Sequence, residues 1–154
     1  AFGVLANSMA PERDVVVEAF YERFRDNGLV LDKWFSTQAF SIRADTLDRV
    51  EQLSRHPDFT LTNPNRLRSL VGAMAGNQLI FHDDSGRGYR FLADMLLKVD
   101  ALNPQTAAKL VPPLGRWRRF DEKRAALMRA ELQRLLDSPG LSKDMFEQVS
   151  KSLA

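Results

Sequence analysis

The chain has 154 residues, long enough to enclose a sizeable hydrophobic core within one domain. Its 44% hydrophobic and 27% charged residues are those of an ordinary globular protein, which excludes a fibre or a disordered tail. A formal charge of +2, from 22 basic and 20 acidic residues, is too even for a dedicated nucleic-acid binder, and the absence of cysteine removes disulfides, thiolate metal sites and a cysteine nucleophile.

The opening stretch, residues 1–10, is mildly apolar without the basic start of a signal peptide. It reads as the tail of a helix that begins upstream. Val17, Phe20, Tyr21 and Phe24 then recur at i, i+3, i+4 and i+7 and predict a helix over 11–26. Gly28 marks a break, and helices follow over 31–39 and 45–55. Asn63-Pro64 offers a capping side chain and then proline at the first helical position, where its missing N–H has no partner to lose. The helix it opens, 64–75, carries Leu67, Leu70, Val71 and Met74 on one face. Breaks at Asn77, Gly86 and Gly88 precede a helix over 88–101 with the stripe Leu92, Met95, Leu96 and Val99. Asn103-Pro104 starts a helix over 104–111, followed by 113–119 and by 121–137 with Met128, Leu132, Leu135 and Leu136 inward. Pro139-Gly140 ends that helix, and Ser142 caps the last one, 142–152, with Leu141 and Phe146 placed to staple its first turn.

Sustained strand-like alternation is absent, so the fold class is all-α, with about nine helices. Short connections make neighbouring helices antiparallel. The two Asn-Pro starts lie 40 residues apart, near the period of HEAT-type repeats. The expected architecture is a single domain, 1–154, built as an irregular α-solenoid of antiparallel helix pairs, HEAT/ARM-like, in preference to a closed bundle. No apolar run approaches the roughly 18 residues of a membrane span.

Few motifs offer chemistry. His56 and His82 are isolated from each other and from any H-E-x-x-H pattern, and a solvated loop explains His82-Asp83-Asp84 better than a metal site. Gly86-Arg87-Gly88 before a helix lacks the strand and third glycine of a phosphate loop and reads as turn glycines. The basic stretch Arg116-Trp117-Arg118-Arg119 with Lys123 and Arg124 is interrupted by Asp121 and Glu122, so a salt-bridged helix face is favoured over a nucleic-acid surface. Asn63-Pro64-Asn65-Arg66-Leu67-Arg68 crowds donors at a helix start, where a carboxylate or peptide terminus could dock. The simpler reading has Asn63 and Asn65 as caps, with the arginines solvated or paired locally. No nucleophile stands beside a base, and the residues alone define a helical accessory or interaction module.

Longer runs carry a resemblance. They are Asn27-Gly28-Leu29-Val30-Leu31-Asp32-Lys33-Trp34-Phe35 and Asn63-Pro64-Asn65-Arg66-Leu67-Arg68-Ser69-Leu70-Val71-Gly72-Ala73-Met74-Ala75-Gly76. Phe81-His82, Gly86, Gly88-Tyr89, Phe91-Leu92 and Asn103-Pro104-Gln105 agree, as do Arg119-Phe120-Asp121-Glu122-Lys123-Arg124, Met128-Arg129-Ala130 and the closing Lys151-Ser152-Leu153-Ala154. From about residue 11 onward the chain resembles the C-terminal domain of bacterial alanyl aminopeptidases, the aminopeptidase N group of peptidase family M1.

That resemblance implies the last of four domains, a bowl of paired helices closing over a zinc site held elsewhere. The family's H-E-x-x-H and its Gly-Ala-Met-Glu-Asn sequence, which holds the substrate's amino terminus, belong to the catalytic domain. Gly72-Ala73-Met74-Ala75-Gly76-Asn77 imitates the second but lacks its glutamate, and reads as small residues at a close helix crossing. The resemblance further implies that this part caps the active site, limits access and contributes substrate contacts. Gln105 matches a glutamine lining the pocket for the first side chain, Arg68 an arginine facing the internal chamber, and Lys109 a position where relatives can carry arginine. No catalytic residue and no metal ligand are expected here; one zinc ion is expected in the catalytic domain. The implied partners are the remaining domains and a peptide substrate, without nucleic acid or membrane, in the cytoplasm. The alternative is a free-standing helical scaffold that binds a protein or acidic partner through the Arg116–Arg124 face.

Overall fold

The computed structural model describes residues 7–8 and 12–154. The expectation for residues 1–10 therefore falls almost wholly outside the described residues. Among the described residues the regular structure is helical throughout, with no strand, as the periodicity requires. The chain divides into two compact units, Ala1–Ile80 and Phe81–Ala154.

The first unit holds α1 (Glu12–Phe24), α2 (Gly28–Ala39), α3 (Thr46–Leu53) and a helical rod α4 over 64–76. Helix α2 begins three residues earlier than expected. Asn27 accepts a hydrogen bond from the Val30 N–H at 3.3 Å, so Gly28 is the first helical residue rather than a break. The core is built from Trp34, Phe35, Val50, Leu53, Leu67, Leu70, Val71 and Met74, all essentially without solvent contact. Each such side chain contributes about 1.5–3 kcal/mol by leaving water. The one polar atom of Trp34 is satisfied within that core, its indole N–H donating to the Val17 carbonyl at 2.9 Å.

The rod α4 starts as the sequence dictates: Asn63 accepts from the N–H groups of Asn65 and Arg66, and Pro64 takes the first helical position. Its middle, Arg68–Gly72, is a π-turn, in which the Ala73 N–H reaches back to the Arg68 carbonyl. Asn77 ends the rod, and its buried side-chain amide donates to the carbonyls of Ala39 and Ser41 at 3.0 and 2.9 Å. Gly76 lies against the Phe40 ring, where an added Cβ would touch it at 3.6 Å. Ala73 and Ala75 are buried, so the run of small residues packs as expected.

A single helical turn, α5 (Gln78–Phe81), was not among the expected helices; four residues cannot display a period. The second unit holds α6 (Arg87–Asp100), α7 (Pro104–Lys109), α8 (Pro112–Gly115), a 3-10 turn (Trp117–Arg119), α9 (Glu122–Leu136) and α10 (Lys143–Leu153). Helix α6 packs on α7 and α9, and α10 packs on both of those. The expected helix 113–119 is split in two. The Trp117 indole N–H is drawn to the Ser152 carbonyl at 3.0 Å, and Gly115 sits so close to Ser152 that an added Cβ would meet its hydroxyl at 2.9 Å. These long-range contacts override local helix preference.

Gly86 has φ +76°, a left-handed turn that suits glycine. Gly88 is no turn residue: it lies inside α6, and a Cβ there would come within 2.5 Å of the Phe81 carbonyl oxygen. It is glycine because two backbones touch.

Candidate functional site

Helix α7 is short and its geometry follows from three residues. Asn103 accepts from the Thr106 N–H at 3.1 Å, Pro104 opens the helix, and Ala107 is fully buried against its neighbours. Gln105 and Lys109, four residues apart, share the exposed face. Helix α10 faces them with Asp144, Glu147, Gln148 and Lys151, spaced i, i+3, i+4 and i+7, while its own Met145 and Val149 are buried. Between the two helices runs an open groove of about 460 Å³ lined by these polar residues and Ala108.

A residue that sequence reading passed over fixes one wall of this groove. Asp100, 7% exposed at the end of α6, accepts from the Ser142 N–H at 2.9 Å and from the Ser142 hydroxyl. The same hydroxyl oxygen accepts from the Met145 N–H at 3.2 Å, the cap expected from sequence. Asp100 thus sets where α10 begins. A buried aspartate at the end of an apolar stripe was the available signal. Leu141 is half-buried and Phe146 is 52% exposed.

Arg68 lies in the first unit, exposed, at the start of the π-turn, with its Nε donating to the Pro64 carbonyl at 3.3 Å. Its neighbour Arg66 corrects the expectation of solvated or locally paired arginines. Arg66 is buried, pairs with Asp32 across 34 residues, donates to the Asp58 carbonyl and stands over the Phe35 ring at 5.5 Å. Asn65 is exposed, and the capping oxygen belongs to Asn63.

The histidines are not solvated loop residues. His56 is half-buried, with ring centroids 4.9 Å from Tyr21, 5.4 Å from Trp34 and 5.7 Å from Phe35, and its Nδ1 accepts from the Asp58 N–H at 3.1 Å. His82 stacks on Phe120 at 4.0 Å, and its Nδ1 lies 2.7 Å from the Tyr89 hydroxyl. Neither arrangement was findable from local pattern, because Tyr21, Trp34 and Phe35 at His56, and Phe120 at His82, are distant in sequence. Among the described residues no three His, Cys, Asp or Glu gather as a metal would need.

Burial pushes the pKa of both histidines down, helped at His82 by the Arg124 charge, and pushes the Tyr89 hydroxyl up to about 12. A neutral His82 lets the buried tyrosine donate to a bare Nδ1. Because the folded state disfavours the charged imidazole, these residues support stability above the unfolded value of about 6.5, and that support is lost as pH falls below it. Urea titrations from pH 7.5 to 5.0 should show stability declining with acid, and the decline should be shallower in His82→Phe. An equal slope in both proteins would remove His82 from the account.

The basic stretch is partly salt-bridged, as expected. Arg124 pairs with Asp121 at 3.0 Å and donates to the His82 carbonyl at 2.7 Å, and Lys123 lies 3.7 Å from Asp84. Chemically the α7–α10 groove offers charged and amide side chains for ion pairs and hydrogen bonds.

Stacked, short-linked helices define the class, and the chain belongs to the family described as a domain of unknown function (DUF3458_C) of ARM repeats, whose model matches residues 1–154. Among individual proteins it is 53% identical over 142 residues to aminopeptidase N of Caulobacter vibrioides, covering 92% of this chain and 16% of that one. Against aminopeptidase N of Escherichia coli it is 43% identical over 155 residues, covering all of this chain and 18% of the relative. The crystal structure of Legionella pneumophila aminopeptidase A in complex with aspartic acid superposes with a TM-score of 0.94 at 32% identity, over 99% of this chain and 18% of that one. These matches uphold the resemblance to the C-terminal domain of M1 aminopeptidases. The chain spans less than a fifth of the length of the relatives it matches.

Proposed function

We propose that this chain is the C-terminal, substrate-gating part of a zinc-dependent M1 aminopeptidase that removes N-terminal residues from peptides in the cytoplasm. The observation that carries it is the 53% identity to an aminopeptidase N over nearly the whole chain. The α7–α10 groove adds support, since Gln105 and Lys109 line it together. In this reading Gln105 contacts the first side chain of the peptide, Arg68 contacts its backbone or C-terminal carboxylate, and Lys109 is a further substrate contact. Lys109 supplies a point charge where an arginine would supply a planar fork. Zinc, activated water and general base belong to the remaining domains, which are the chain's partners.

The test has two arms. The chain alone, with zinc and an aminoacyl anilide, should give no hydrolysis, and activity should appear only when the remaining domains are supplied. In the complete enzyme Gln105→Ala should raise KM about fivefold with little change in kcat, the loss of one hydrogen bond made equally in ground and transition states. Turnover by the isolated chain, abolished by His82→Ala, would overturn the proposal.

A further inference from the structure

The 3-10 turn Trp117–Arg119 and the facing side of α9 form a second surface, separate from the α7–α10 groove. Residues 116–129 contain six basic and two acidic residues, so this stretch alone exceeds the net +2 of the chain. Trp117 is fixed by its indole hydrogen bond to Ser152, and two guanidinium groups lie over its ring, Arg118 at 4.1 Å and Arg129 at 5.0 Å. Arg118 is engaged by the backbone oxygens of Ser152, Leu153 and Ala154. Arg116, Arg119 and Arg129 are exposed and, among the described residues, make no ion pair. The nearest acidic residue in sequence to Arg119, Asp121, is taken by Arg124. A hollow of about 460 Å³ lies beside the indole, lined by Trp117, Ala126, Arg129, Ala130, Gln133 and Leu153.

We propose that this arginine face around Trp117 is a docking surface for an acidic stretch of polypeptide. Like charges crowded on one exposed stretch repel, and a partner carrying carboxylates relieves that repulsion. Guanidinium groups match carboxylates through paired, parallel hydrogen bonds. The exposed Ala126 and Ala130 let a partner backbone approach closely. Nucleic acid fits less well. Its single-stranded form needs an open aromatic face for base stacking, and here the ring already carries two arginines.

Fluorescence anisotropy with a fluorescein-labelled decaglutamate tests this on the whole protein. Saturable binding is expected at low salt, weakened at least tenfold by 0.5 M sodium chloride and at least tenfold in the triple variant Arg116→Ser, Arg119→Ser, Arg129→Ser. These side chains are exposed, so the far-UV circular dichroism of the variant should be unchanged. The milder Arg129→Lys should bind between the two. Absence of saturation at 1 mM peptide, unaltered binding by the triple variant, or equal or tighter binding of a labelled ten-residue oligothymidylate would each overturn the proposal.

Discussion

Arg66→Ala should destabilise the first unit by about 3 kcal/mol, a larger loss than any exposed arginine in the chain would give. The side chain is 10% exposed and its partner Asp32 only 20%, so removal strands a largely desolvated carboxylate. It also removes a donor from the Asp58 carbonyl and a cation from above Phe35. Lysine should rescue little, because one ammonium cannot serve Asp32 and the Asp58 carbonyl as the two arms of a guanidinium do. If the stranded charge is the main cost, the double variant Arg66→Met, Asp32→Leu should recover much of the loss. Urea denaturation of the four proteins reads this directly; a single-variant loss below about 1 kcal/mol would show that water reaches Asp32 freely.

The second large effect concerns Gly88. Alanine there forces a methyl group to within 2.5 Å of the Phe81 carbonyl oxygen and 3.0 Å of its Cα, both backbone atoms that no rotamer change can move. A loss of about 3 kcal/mol in the second unit is expected, the upper part of the range for overpacking. Gly28→Ala provides the contrast. Nothing lies within 4 Å of a Cβ at Gly28, which opens α2, so the same change should stabilise by about 0.5–1 kcal/mol. Thermal melts of the two variants should move in opposite directions, and a shared direction would contradict the packing argument.

Features encoded within a few residues were readable from sequence. The caps at Asn63, Asn103 and Ser142, the proline starts and the apolar stripes each need only their neighbours in the chain, and all appear in the fold. The misses share a different cause. Arg66 finds Asp32 34 residues away, and His82 finds Phe120 38 residues on. Gly88 is constrained by Phe81 across a chain reversal. No periodicity reports such encounters. The candidate site divides along the same line. The exposed pairing of Gln105 with Lys109 follows from helical spacing, whereas the wall opposite them, and Asp100 that positions it, depends on how α6, α7 and α10 pack. The groove is a product of tertiary packing.

The π-turn in α4 sets the rotational phase of the rod's final turn. An ordinary helix turns about 100° and rises 1.5 Å per residue, so deleting one residue between Arg68 and Gly72 would regularise the rod and rotate its downstream end by that angle. Asn77 would swing away from the Ala39 and Ser41 carbonyls, and Gly76 would no longer meet Phe40. The extra residue thus acts as a vernier, adjusting the azimuth of the helix end so that one amide can lock onto the end of α2.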